Sequence, residues 1–334
     1  MHTGFSTPPV EPTHAAMEQA AKWYALLRSG EATADDMQRW RDWLASSPDH
    51  HGAWHYVETV SRHFAPLQDA PDPRLTTDNL LAANDRTRLR RRTIAGLAIL
   101  AGSGLLTWMG WRHTALPGML LAQMADYRTG TGEIREVTLN DGTRVWLNAA
   151  TAFDQDYRSD LRRLRMLAGE VLIDTAADST RPFVVDTPQG RLHALGTRFT
   201  VRLEDDERSF LAVYQGAVEV RTATNQTVVV PAGRQVRFRT DALEAMVDAD
   251  TAREAWSRGV LVAQDITLAE LVAELRRHRN GHLGLAPQVA GLRVFGSFPL
   301  RDTDETLAML ETMLPIRIRR TLPWWTSIDA ADKT

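Results

Sequence analysis

The chain of 334 residues contains no cysteine, and that absence excludes a disulfide framework, a thiolate metal site and a cysteine nucleophile together. It carries no large surplus of charge, the net value being −3. Between residues 15 and 64 five basic side chains (Lys22, Arg28, Arg39, Arg41, Arg62) stand against seven acids, so this region lacks the basic footprint that direct nucleic-acid binding needs. No phosphate loop, pair of general acids or nucleophile motif is visible, which leaves an enzyme acting on an external substrate without a site. Neither a cofactor nor a metal is expected. His51 and His55 are four residues apart without a third ligand, and Asp302, Asp304 and Glu305 sit at a helix start, where anions favour the helix dipole.

What the sequence does have is one long uncharged run. From Thr93 to Trp111 nineteen residues carry no ionisable side chain. As a helix, such a run is about 28 Å long and matches the hydrocarbon core of a bilayer. Gly96, Gly102, Gly104 and Gly110 would weaken a helix in water but are tolerated in a membrane, and Trp108 and Trp111 resemble interfacial anchors. A single transmembrane helix is therefore expected over 93–111. Six arginines fall in residues 74–92 and two in 112–130, which places the N-terminal side in the cytoplasm and the C-terminal two thirds outside.

Residues 15–64 read as three short helices. Ala16, Ala20, Trp23 and Leu27 form the apolar stripe of the first. Thr33 and Asp36 have capping-box spacing at the start of the second, whose stripe is Met37, Trp40, Trp43 and Leu44. Pro48 opens the third, with Trp54, Val57, Val60 and Phe64 facing inward. Four tryptophans exceed what so small a bundle can cover, so some of Trp23, Trp40, Trp43 and Trp54 are expected to face a protein partner. The proline-rich stretch after Phe64 reads as a tether.

Beyond residue 127 short alternating runs are separated by turn chemistry such as Asn140-Asp141-Gly142 and by glycines at 169, 216 and 233, the pattern of an all-β domain, either a sandwich or a short β-solenoid. From Trp256 strand and helix patterns alternate, and two βαβ-like halves predict a small α+β domain. The expected organisation is multi-domain: a flexible tail (1–14), an all-α bundle (15–64), a linker with a basic flank (65–92), the membrane helix (93–111), a second linker (112–126), an all-β domain (127–248), the α+β domain (256–320), and a tail (321–334) for which no role is inferred.

The order "AAKWYALLRSGEAT", "WRDWLASSPDHHGAWHYVE", one uncharged span, "ADYRTGTGEIREVTLNDGTRVWLN", "RPFVVDTPQGRLHALGTRFTV" and "LRRHRNGHLGLAPQVAGLRVFGSFPLRDTDETLAMLETMLPI" resembles the FecR family of transmembrane anti-sigma regulators, of the ferric-citrate type, over about residues 15 to 320. The resemblance implies a single-pass protein of the inner membrane whose cytoplasmic helices hold a sigma factor of the extracytoplasmic-function class. It implies a periplasmic C-terminal region, ending in an STN-like domain, that meets the signalling domain of a TonB-dependent receptor loaded with an iron chelate. A membrane-embedded protease would pass the signal on. Glu270, Glu274 and Arg277, on the polar face of the 267–279 helix, are the receptor-docking candidates. Some family members cut themselves in the motif that reads "ALGTRFTV" here, which makes Gly196–Thr197 the candidate bond, with His193 the nearest conceivable base. Two other classes compete: a membrane-anchored DNA-binding regulator, opposed by the charge count, and a periplasmic docking module of a transport or secretion complex, which leaves the bundle unexplained.

Overall fold

The computed structural model describes residues 12–68, 122, 124–204 and 207–331. The expected membrane helix over 93–111 lies outside the described residues, and among the described residues no helix is long and apolar enough to cross a membrane. Two compact units are present. Among the described residues one comprises 12–68 with 281–292 and 310–331; the other comprises 122, 124–204 and 207–280 with 293–309.

The second unit is built on two seven-stranded sheets. In the first the order is β1 (Tyr127–Arg128), β4 (Ala152–Tyr157), β5 (Arg162–Ala168), β7 (Phe183–Thr187), β8 (Gly190–Ala194), β11 (Ala217–Thr222) and β12 (Thr227–Pro231). In the other it is β14 (Val247–Asp248), β13 (Arg234–Phe238), β10 (Ser209–Gln215), β9 (Arg198–Leu203), β6 (Glu170–Asp174), β3 (Arg144–Leu147) and β2 (Arg135–Thr138). All pairs are antiparallel except β5 with β7. The alternating apolar residues of both sheets, among them Leu147, Phe153, Leu164, Ile173, Phe199, Val201 and Val220, form one buried core. The chain does not finish one sheet before starting the other. It crosses between them every one or two strands, and Gly132, Ala150, Gly169, Gly196, Gly216 and Gly233 stand at six of the crossings with φ between 53° and 82°. The arrangement joins the two alternatives left open by the sequence: a two-sheet sandwich wound by solenoid-like corners.

The expected α+β domain over 256–320 does not form as two βαβ halves, and the C-terminal region is dominated by sheet. β15 (Val260–Thr267) is followed by α4 (Leu268–His278), yet it pairs antiparallel with β17 (Arg293–Pro299) and not with β16 (His282–Leu285). β16 lies in a separate sheet of order β16-β19-β18, with β18 spanning Ile316–Leu322 and β19 spanning Trp325–Ala330. The reason is the tail. "TLPWWTSIDA" folds back through Pro323–Trp324, and β19 becomes the central strand, parallel to β16 and antiparallel to β18. Trp325 and Ile328 are fully buried there. A second helix, α5 (Thr303–Met313), separates β17 from β18.

The first unit joins that sheet to the N-terminal helices α1 (His14–Ser29), α2 (Ala34–Ala45) and α3 (Pro48–Gln68). Both halves of the capping box at α2 are formed, Thr33 and Asp36 exchanging side-chain-to-backbone bonds. Ala16, Ala20, Ala21, Ala53 and Val57 are buried in one cluster with Trp324 and Trp325. The small side chains on α1 leave room for the two indoles, and Trp325 Nε1 donates to Glu18 at 2.9 Å.

The corners give a stability test that separates two costs. At Gly233 (φ +77°) a Cβ meets nothing within 4 Å, whereas at Gly169 (φ +82°) it would fall 2.5 Å from Thr151 Cα. Gly233→Ala is expected to cost about 1–2 kcal/mol, the left-handed term alone. Gly169→Ala should cost clearly more in urea unfolding; equal losses would remove steric stacking from the account.

Candidate functional site

The Gly196–Thr197 bond occupies the corner between β8 and β9. Gly196 is left-handed at φ +76°, and its carbonyl packs so tightly on Gly216 that a Cβ at 216 would overlap it and stand 2.8 Å from Thr197 Cγ2. On the other side lies Thr175, just after β6. The Thr197 N–H donates to Thr175 Oγ1 at 2.8 Å, and the Thr197 carbonyl accepts from the Thr175 N–H at 3.0 Å and from its hydroxyl at 3.1 Å. The Thr197 side chain is buried and its Oγ1 has no hydrogen-bond partner. A cavity of about 360 Å³ beside the bond is lined by Gly196, His193, Thr175 and Arg162, among others. A hydroxyl that is free of competing bonds, one residue after a carbonyl in a glycine corner, is chemically suited to attack that carbonyl.

Arg162 and Thr175 carry no motif, and the sequence did not single them out. Arg162 is buried and donates to Asp141 at 2.8 Å, to the Ala176 carbonyl at 3.0 Å and to the Arg181 carbonyl at 2.9 Å, which pins the 175–182 loop. Asp141 lies in the Asn-Asp-Gly turn; burial works against its charge, but bonds from Arg162 and Thr143 hold its carboxyl below the usual range. Its turn chemistry was legible, its ion pair was not.

The four tryptophans are all half-buried. Trp40 and Trp54 meet with ring centroids 5.0 Å apart, and Trp43 stacks on His50 at 4.4 Å. Trp23 Nε1 and Trp40 Nε1 have no partner. α2 contains no buried residue although Met37, Trp40, Trp43 and Leu44 lie on one face. A groove between α1 and α3 is lined by Tyr24, Leu27, Arg28, Trp54, His55 and Glu58.

On α4 the three docking candidates are not equivalent: Glu270 is exposed, whereas Glu274 and Arg277 are half-buried. Glu270 closes a capping box with Thr267. Glu274 binds Arg202, and Arg277 turns inward to the Ala149 carbonyl at 3.0 Å and to Glu170 at 3.3 Å. Glu170, 1% exposed, is the centre of this network. Arg253 at 3.3 Å and Arg202 at 3.7 Å complete its charge shell, and Asn148 donates to it at 3.0 Å. Burial pushes its carboxyl up, but Arg253, Arg202 and Arg277 outweigh that and hold it at about 2. Elsewhere, Asp302 caps α5 through the Glu305 N–H, and among the described residues no group of three or more His, Cys, Asp or Glu side chains could hold a metal ion.

Comparison with known proteins places these features. Residues 125–219 match the family model described as FecR protein, and residues 18–60 match a domain of unknown function (DUF4880). The first match includes the Gly196–Thr197 corner, and the second lies within the N-terminal helices. Two crystal structures from Parabacteroides distasonis ATCC 8503, each named a "putative anti-sigma factor", share the fold at 25% identity with TM-scores of 0.53 and 0.52. They cover 62% of this chain and 99% and 98% of their own. No curated protein matches the chain.

The Glu170 network makes stability depend on pH. Its folded value of about 2 lies below the ordinary 4.5, so the stabilisation is complete above about 4.5 and is lost as pH falls from there toward 2. Glu170→Gln, which leaves Arg253 and Arg277 without their ion-pair partner and Arg202 with Glu274 alone, should cost about 3–5 kcal/mol at pH 7 and flatten this acid limb. Urea unfolding at pH 7 and pH 3.5 measures both, and a variant as stable as wild type at pH 7 refutes the assignment.

Proposed function

We propose that the chain is an anti-sigma factor whose N-terminal helices hold a sigma factor of the extracytoplasmic-function class. The observation that supports this most directly is α2, an amphipathic helix with no buried residue and an apolar face of Met37, Trp40, Trp43 and Leu44. Its placement in a DUF4880 match, in one chain with a FecR domain, fits the name carried by the related structures. The contact would be made by protein and not by DNA, since the helices have more acids than bases. In the finer reading, the protein sits at the inner membrane and its periplasmic part receives an iron-chelate signal from a TonB-dependent receptor. A membrane-embedded protease then frees the sigma-binding part.

The localisation carries a structural consequence. Trp324 and Trp325 pack on α1 and α3, and those partners share a compartment only in a chain that is not threaded through the membrane between them. In the inserted protein the β18–β19 face would be free of these helices. Phosphatase fused after residue 130 should be active and fused before residue 85 inactive. A Glu18→Cys, Trp325→Cys pair that cross-links in the membrane-inserted protein overturns this topology.

A second reading is supported by the orphan Thr197 hydroxyl: the FecR domain cuts its own chain between Gly196 and Thr197 by an N-to-O acyl shift followed by ester hydrolysis. Thr197→Ala should abolish a fragment beginning at residue 197, and Thr197→Ser should keep it. Full-length protein that shows no such N-terminus after prolonged incubation refutes this reading.

For sigma binding, Trp40→Ala and Trp43→Ala are each expected to weaken the complex by about 2 kcal/mol, roughly thirtyfold in Kd, as desolvated aromatic anchors do. Variants that keep the helical circular dichroism of wild type and bind a co-expressed sigma factor equally well would remove α2 from the interface.

A further inference from the structure

We infer that Thr175 is a positioning residue for cleavage at Gly196–Thr197; this rests on the self-cleavage reading above. Thr175 touches the backbone of Thr197 three times. Its Oγ1 accepts from the Thr197 N–H at 2.8 Å, its hydroxyl donates to the Thr197 carbonyl at 3.1 Å, and its own N–H donates to the same oxygen at 3.0 Å. These bonds fix the backbone that carries the nucleophile, yet none of them engages the nucleophile itself, whose Oγ1 has no partner. The Gly216 backbone comes so close that a Cβ there would overlap the Gly196 carbonyl oxygen and stand 2.8 Å from Thr197 Cγ2. Attacking group and attacked carbonyl are thus both held from outside the bond, which is the arrangement that proximity catalysis requires.

The chemistry shows why the 2.8 Å bond matters most. Thr197 Oγ1 forms a bond to the Gly196 carbonyl carbon and the carbon–nitrogen bond breaks. The hydroxyl proton ends on the Thr197 nitrogen, giving an ester and a free amine. Water then hydrolyses the ester to a Gly196 carboxylate and restores the Thr197 hydroxyl. During the shift the nitrogen changes from a planar amide into a neutral amine, which then takes one further proton from solvent near neutral pH. Thr175 Oγ1 accepts a hydrogen bond from this nitrogen at the start, and at the end it accepts one from an ammonium. Bonds with an ionised partner are about twice as strong as neutral ones, so this contact strengthens along the reaction and lowers its barrier.

The location of Thr175 is not incidental to the fold. It ends the ladder of β6 beside β9, and the loop that follows is anchored by Arg162 through the carbonyls of Ala176, Asp178 and Arg181. Arg162 is buried and paired with Asp141, so the clamp is tied to the core of the domain.

The test uses the full chain, with the fragment beginning at residue 197 quantified by mass spectrometry over time. Thr175→Val keeps the shape and removes the acceptor, and is expected to slow cleavage at least tenfold in a chain that still unfolds cooperatively, with a thermal midpoint lowered by the unsatisfied Thr197 N–H. Thr175→Ser should restore the rate. Hydroxylamine, which traps esters, should yield less Gly196 hydroxamate from Thr175→Val than from wild type, a readout that loss of packing alone does not move. If Thr175→Val does not fold, Thr175→Cys, whose sulfur is a weak acceptor, takes its place with the same expectation. Wild-type cleavage with an unchanged rate in the folded Val or Cys variant overturns the role of Thr175 and leaves self-cleavage standing. An intact wild-type chain overturns the underlying reading instead.

Discussion

A chain that passes back and forth between two facing sheets must reverse direction within a residue or two at each crossing, and here it does so on left-handed corners that stack on one another. Gly169 rests on Ala150 and Thr151, and Gly216 rests on Gly196 and Thr197. The backbone continues the stack: the Leu195 N–H donates to the Ala217 carbonyl, Ala232 to Gly216, and Ala249 to Gly233. Each corner therefore sets the height of the next, and the strand registers follow from it. The core residues fill the space between the sheets, but the corners decide which strand lies next to which.

The second organising element is electrostatic. A buried carboxylate among three guanidinium groups requires cations that stay charged without full hydration and bind in a plane, properties of arginine more than of lysine. Lys22 is the only lysine among the described residues, so every cation in this network is an arginine. Through Glu170 on β6, Arg202 on β9, Arg253 and Arg277 on α4, the network ties the corner-wound sheets to the segments that follow them in the same unit. His278, next to Arg277, has both ring nitrogens without partners; burial and that neighbouring charge lower its value to about 4, so it stays neutral there.

Much of this architecture was legible from local chemistry. The Thr33–Asp36 cap, the Pro48 helix start and the glycines at 169, 216 and 233 are decided by residues within a few positions, and sequence reading handles such cases well. What it missed depends on long-range pairing. "TLPWWTSIDA" offers no turn glycine or clear period, yet it supplies the central strand of a sheet whose partners lie about forty residues and a few residues away. The βαβ expectation failed because period and length cannot say which strand a strand will pair with. Arg162, Thr175 and Glu170 lie in runs that read only as strand or turn, and their roles come from neighbours brought in across sheets.

The winding order also determines what a break at residue 196 would leave. Strands up to β8 occupy one end of each sheet and strands from β9 onward the other, so each sheet has a single seam: β8 against β11, and β6 against β9. Each seam is a ladder of five residue pairs. In mechanical terms, a domain cut at this corner becomes a lap joint. Tension between its two ends would be carried by two short ladders, the shared core and the Glu170–arginine network that crosses the cut, and it would yield by sliding or peeling along those seams while an uncut chain of the same fold held.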